Sequence, residues 1–231
     1  MSATPPTVMI TGAAGALGQA VSTHFASVGA RRVLLDRGDA WRADAGADAL
    51  AISTDLLDPA SVAAAVGQAL ERCGRIDALC AIAGGFAMGP AVHETSADDW
   101  QRMQDINVGT LLNTIRAVVP PMLAAGGGRI VTVGAIGALH GGARMAAYSA
   151  AKGAVIRVTE AMSDELREHG INVNCVLPSI IDTAANRAAM PDADPALWVA
   201  PRDLASVVGF LCSDAARAIH GAAIPVRGLS G

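Results

Sequence analysis

The chain has 231 residues, 52% of them hydrophobic but only 3% aromatic, with a net charge of −4, a pI near 5.7 and a mean hydropathy of +0.40. Charges are interspersed and form no basic stripe, and aromatic residues are too few to stack single-stranded bases, which argues against a nucleic-acid partner. No stretch reaches the ~20 uninterrupted apolar residues of a membrane span. Met1–Pro6 lacks the charged and apolar regions of a signal peptide, and four scattered cysteines (Cys73, Cys80, Cys175, Cys212) read as small buried hydrophobes in a reducing compartment. A cytoplasmic chain of one domain, 1–231, is the expectation.

Short apolar runs at 7–10, 32–35, 49–52, 78–82, 129–133, 171–176 and 222–226 read as about seven buried strands alternating with helices. This is the pattern of an α/β fold: a doubly wound parallel sheet with helices on both faces. Asp58-Pro59 marks a helix start and Gly74 its end. Ser96 to Asp99 resembles a capping box, a later helix runs from about Ala147 to His169-Gly170, and Pro201 opens the last one. The apolar region 117–139 is broken by Pro120, Pro121, Gly126 to Gly128 and Arg129, and 184–200 reads as a long irregular segment, a candidate flap.

The first strand runs into Thr11-Gly12-Ala13-Ala14-Gly15-Ala16-Leu17-Gly18. Glycines in that place allow a tight turn, close approach of backbone to a pyrophosphate, and packing of helix on strand. The next helix would aim its free N–H groups at the phosphates. The second strand ends at Asp36, 24 residues beyond Gly12. A carboxylate there binds ribose hydroxyls and repels a 2′-phosphate, favouring NAD(H) over NADP(H), although Arg37 beside it could welcome the phosphate. The same Asp36 also suits the start of a turn.

Tyr148, the only tyrosine, stands four residues before Lys152, the only lysine among 17 Lys+Arg. Positions i and i+4 share a helix face. A lysine kept where every other cation is arginine points to a need for a compact ammonium. Such a charge beside a phenol would lower a pKa that is ordinarily ~10, giving a proton donor tuned towards neutral pH. A helical surface pair of no consequence has the same spacing.

Taken together, Thr11 to Gly18, Asp36, Asp55, Ala83-Gly84, Asn107, Tyr148/Lys152, Pro178 and Thr183 resemble the short-chain dehydrogenase/reductase family along nearly the whole chain. The resemblance implies that Gly12, Gly15, Leu17 and Gly18 hold the pyrophosphate, Asp55 and Leu56 border the adenine, and Ala83-Gly84 pass under the ribose. It implies that Pro178, Ile181 and Thr183 hold the carboxamide, that Tyr148 passes the proton, and that Lys152 binds the ribose and acidifies the phenol. Asn107 matches a helix asparagine supporting a relay water, and it equally suits a buried amide bridging backbone groups. A homodimer or homotetramer packed through the helices at 97–118 and 147–168 is implied as well.

The family carries a catalytic serine thirteen residues before the tyrosine; here that position is Ala135. Loss of such a donor costs a carbonyl reduction roughly 10²–10³ in rate. Thr132 points to the other face of its strand and Ser149 is rotated away from Tyr148, so neither replaces it. Three explanations stand: a nucleotide-binding sensor or structural subunit with little turnover, a carbonyl or 3-oxoacyl reductase with a substitute donor such as His140 or Ser179, or a substrate that never forms an alkoxide. A likeness to the dihydropteridine reductases, in Ala83-Gly84-Gly85, Gly134 to Gly141 and Asp182 to Pro191, points to the third, with a quinonoid dihydropterin as acceptor. Phe86, Met88, Met145 and Trp198 fall where the family walls its substrate, and His140 sits in the loop between Ala135 and Tyr148. The five histidines show no metal-ligand spacing.

Overall fold

The computed structural model describes residues 5–46 and 48–230; Met1 to Thr4, on which most of the N-terminal reading rests, and Gly231 lie outside them. Seven parallel strands form one sheet: β1 (Thr7–Thr11), β2 (Arg31–Asp36), β3 (Ala49–Ser53), β4 (Ala78–Ala81), β5 (Gly128–Val133), β6 (Ile171–Pro178) and β7 (Ala223–Val226). Their order is β3-β2-β1-β4-β5-β6-β7. The chain winds outward from β1 to β3 and crosses back to β4, so the order reverses beside β1. Ligands of open α/β sheets bind at the carboxyl ends of the strands at that reversal.

Alternation along the strands divides the core in two. Met9, Val33, Leu79 and Ile130 face α2 (Pro59–Cys73), α4 (Thr110–Ala124) and α5 (Ala146–Leu166). Val8, Ile10, Leu34 and Val131 face α1 (Ala16–Ser27) and α7 (Pro201–Leu211). Both faces of the central strands are therefore apolar, as a helix-covered parallel sheet requires.

The expected helix ends are present. The Asp58 carboxylate accepts from Ala60 N–H at 2.9 Å, and Gly74 closes α2 at φ 82°. Ser96 caps α3 (Ala97–Gln104) by accepting from Asp99 N–H at 3.0 Å.

Three expectations are corrected. The helix expected at 97–118 is interrupted by a π turn, Asp105–Gly109, before it continues as α4. That helix also runs past 118, through Pro120 and Pro121 to Ala124, and stops at Gly126, φ 76°. Each proline removes a bond to the carbonyl four residues back, yet the helix continues past them with Val118 and Met122 buried, and glycine supplies the left-handed stop. The segment 184–200 is not irregular throughout: it folds as α6 (Ala184–Ala189) and a 3₁₀ turn, Pro195–Leu197, capped by Thr183 and Asp194. No helix among the described residues is long and apolar enough to cross a membrane.

Asp58→Ala removes the α2 cap and is expected to lower stability by about 1 kcal/mol in urea unfolding.

Candidate functional site

The loop after β1 is built around backbone contacts that exclude side chains. Gly12 has φ 68°, and a Cβ there would sit 2.9 Å from the backbone of Ala83 at the end of β4. At Gly18 a Cβ would overlap the Gly12 carbonyl oxygen, so α1 rests directly on the loop. Thr11 Oγ1 accepts from Ala83 N–H at 3.2 Å, joining the ends of β1 and β4. Gly15 precedes α1 without a side-chain cap, and Gln19 N–H makes the bond to Gly15 O at 2.9 Å. The first-turn N–H groups of α1 are thus left for an outside acceptor, at the carboxyl edge of the sheet. This arrangement fits a diphosphate.

Asp36 stands beside that loop. Its Oδ2 accepts from Ala14 N–H and its Oδ1 from Arg37 N–H, both at 2.8 Å, so the carboxylate is held at the loop rim. Asp55 turns the chain after β3, accepting from Leu57 N–H at 2.9 Å, and Leu56 is buried. Asn113, which sequence reading passed over, donates to Leu56 O at 3.0 Å and Leu57 O at 3.2 Å and so anchors this turn. Its one signal was a lone amide within the apolar run Leu111-Leu112-Asn113.

At the other end of the cleft Lys152 is 5% exposed, and its Nζ donates to Val133 O at 2.8 Å. Burial pulls its pKa from lysine's usual 10.5 down to about 8. Asn107, 2% exposed, comes from the π turn, a helix widening frequent at functional sites. Its Oδ1 accepts from Gly85 N–H, and its Nδ2 donates to Gly85 O and Met103 O, each at 3.1 Å. Between the two lies Gly84: a Cβ there would meet Asn107 Oδ1 at 2.7 Å and Lys152 Nζ at 3.1 Å. The loop after β4 therefore needs glycine to pass the amide and the ammonium. The backbone-bridging reading of Asn107 is what the hydrogen bonds display.

Tyr148 is half-buried at the start of α5, with the Phe86 ring edge-on at 4.9 Å and 85°. Burial pushes its phenol up to about 12. This corrects the expectation of a phenol tuned towards neutral pH by its neighbour. The i,i+4 spacing places Lys152 on the same helix face, but the ammonium is spent on the end of β5 and is itself desolvated.

Ala135 is buried in extended backbone just beyond β5, and its carbonyl accepts from Ala138 N–H at 3.0 Å. Among the described residues, the hydroxyls of Thr132 and Ser179 are committed elsewhere. Thr132 Oγ1 pairs with Thr159 Oγ1 at 2.7 Å within the core. Ser179, one of the two substitute donors considered, already donates to Arg227 O at 2.7 Å and meets Ser230 Oγ at 2.8 Å. His140, the other, is exposed. Ser149 Oγ is buried without a hydrogen-bond partner among the described residues.

Pro178 ends β6, and the next residues are tied down by Ile180 O accepting from Val199 N–H and Val199 O accepting from Asp182 N–H. Asn186, another residue sequence reading missed, donates to Ile181 O at 2.8 Å, while its own N–H bonds the Thr183 hydroxyl. Trp198 is 7% exposed, so its indole is packed rather than presented to a cleft. The ends of β1, β4, β5 and β6 thus converge on Gly12, Ala83, Ala135 and Pro178, with Asp36 and Asp55 to one side. No group of His, Cys, Asp and Glu able to hold a metal occurs among the described residues.

The buried ammonium sets a pH test. Unfolded, Lys152 keeps its proton to about 10.5; folded, it releases it at about 8. Between those values unfolding takes up a proton, so wild-type stability gains from this group as pH rises through that window. Lys152→Met lacks the group. Its Tm is expected to exceed wild type at pH 7, with the gap closing towards pH 10 in a thermal-melt series; a gap independent of pH would refute the buried cation.

A family described as short chain dehydrogenase matches residues 6–194. The chain is 32% identical to meso-2,3-butanediol dehydrogenase of Serratia marcescens, over 96% of this chain and 92% of that protein. It is 35% identical to cis-4-hydroxycyclohexanecarboxylate dehydrogenase of Sinomonas cyclohexanicum, over 95% and 94%. A solved 3-ketoacyl-(acyl-carrier-protein) reductase from Brucella melitensis, complexed with NADH, superposes with a TM-score of 0.87 at 30% identity, covering 96% of this chain and 97% of that one. The likeness to dihydropteridine reductases has no counterpart among these three.

Proposed function

Since the chain belongs to the short-chain dehydrogenase family, an oxidoreductase family whose fold binds NAD(P), we propose that it interconverts a small hydroxy compound and its oxo form using NAD(H), with Tyr148 as its only proton-transferring side chain. The observation that carries this reading is Tyr148 opening the helix that buries Lys152, while position 135 offers no hydroxyl. When bound, the nicotinamide gives or takes the hydride. Gly12, Gly15, Leu17 and Gly18 cradle the diphosphate, with Ala83 and Gly84 beneath the ribose. Asp55 and Leu56 border the adenine. Asp36, fixed by two backbone N–H groups, faces the adenosine ribose and disfavours a 2′-phosphate, which supports NAD(H) over NADP(H). Pro178, Ile181 and Thr183 lie against the carboxamide.

Tyr148 holds its proton across the physiological range because its site is buried, so it donates to a forming alkoxide. Lys152 supplies the nearby positive charge while it remains an ammonium, below about pH 8. Asn107 shapes the Gly84-Gly85 path and, as a relay, takes part through water. Ala135 and His140 border the substrate, and Trp198 backs its pocket from within. In this account two copies or four associate through the outer faces of α4 and α5, where Leu112 is only partly covered. The four free cysteines, of which Cys80 and Cys212 lie 3.9 Å apart as thiols with no disulfide between them, suit the cytoplasm.

Ala135 favours one second reading. A quinonoid dihydropterin takes hydride and proton on a conjugated ring, where Tyr148 alone suffices and a serine has no alkoxide to hold. The two readings separate on one set of assays. Tyr148→Phe is expected to lower NADH-dependent turnover by at least ~10² on any true acceptor. Ala135→Ser is expected to raise ketone reduction by ~10-fold or more. Wild-type turnover of the dihydropterin, with no gain from Ala135→Ser, would choose the second reading. Tight NADH binding without turnover on ketone, alcohol or dihydropterin would return the chain to nucleotide sensing.

A further inference from the structure

A pocket of about 240 Å³ lies between the loop after β4 and the start of α5. Its wall includes Ala87, next to the Phe86 that touches Tyr148, and Ala147, the residue before Tyr148. Its wall thus ends, on two separate stretches of chain, one residue short of the Phe86–Tyr148 pair. Met88, Met103 and Met145 give it an apolar, adaptable lining.

Arg144 is its distinguishing residue. It has φ 62°, and every other positive-φ position among the described residues is glycine. Glycine takes that conformation freely and arginine takes it at a cost. The backbone is pinned there, since Arg144 O accepts from Gly89 N–H at 2.8 Å across the pocket mouth. A chain that uses glycine at all its other left-handed turns has kept a guanidinium at this one.

The charge balance of the pocket is positive. Asp99 is offset by Arg102 at 3.3 Å, and its carboxyl is held below the usual range by Ser96 and Arg102. The Arg144 guanidinium, on an exposed residue, makes no hydrogen bond or ion pair among the described residues, and α5 begins at this pocket with Met145 as an N-cap that has no side-chain oxygen. We propose that this pocket is an anion subsite, in which Arg144 anchors the carboxylate of a compact oxo- or hydroxy-acid whose reacting carbon lies at Tyr148. Arg144 stands two residues before α5, in the turn that leads into the helix carrying Tyr148. The inference rests on the alcohol/ketone reading above and names its substrate class.

The test uses 4-oxocyclohexanecarboxylate and its neutral isostere 4-oxocyclohexanecarboxamide, titrated into the protein saturated with NAD⁺, which has no hydride to give a ketone, and followed by calorimetry. Wild type is expected to bind the acid at least tenfold more tightly than the amide. Arg144→Gly is expected to bind both at the amide's affinity, with a Tm no lower than wild type because glycine suits the backbone. Equal affinity for the two ligands in wild type, binding of neither, or an equal loss for both in Arg144→Gly would overturn the subsite. Turnover is scored separately: an acid preference in binding with no reduction of either ketone would count against the proposed reaction and leave the subsite standing.

Discussion

The ammonium of Lys152 is confined to a site where it is 5% exposed and has a single hydrogen bond, to Val133 O. Burying a cation is unfavourable unless it is paired or coordinated, and here the protein supplies only a main-chain carbonyl. That contact fixes the first turns of α5 against the end of β5, and so fixes where Tyr148 emerges. An arginine could not substitute: its planar fork is larger and carries donors that one carbonyl leaves unsatisfied. In a chain otherwise converted to arginine, this geometry accounts for the one lysine.

Other features follow from the same confinement. Gly84 is glycine because the ammonium and the Asn107 amide occupy the space a Cβ would need. The π turn brings Asn107 inward to hold Gly85 on both its N–H and its carbonyl. The loop after β4 is thereby held next to the start of α5, with Phe86 laid on Tyr148. Desolvation acts in opposite directions on the two titrating groups. It keeps the phenol protonated and makes the ammonium easier to discharge. Neither group in isolation is tuned to neutral pH.

Much of the frame was legible because the sheet is buried on both faces: seven apolar runs, each punctuated by Gly, Pro or Asp, correspond to β1 through β7. Caps with a local chemical signal, Asp58, Gly74 and Ser96, were equally readable. The features that were missed have no local signal. A π turn at Asp105–Gly109 depends on what Asn107 must reach, and the course of α4 through Pro120-Pro121 depends on packing against α2 and β4. Residues Asn113 and Asn186 act on main-chain carbonyls far away in sequence or across a turn. The positions of Tyr148 and Lys152 on one helix face could be read, but not that the lysine's hydrogen bond goes to Val133, nor that Arg144 takes a glycine's conformation. Burial, which decides the sign of a pKa shift, is a property of the assembled core.

Tyr148 is the only tyrosine, so the near-ultraviolet absorbance of tyrosinate reports its ionisation with no background from another phenol. The most direct test is to titrate that signal with and without NAD⁺. The account predicts almost no tyrosinate at pH ~10, where an exposed phenol is half ionised, with ionisation moving to lower pH once the positively charged nicotinamide is bound. A midpoint near 10 that NAD⁺ leaves unmoved would contradict it.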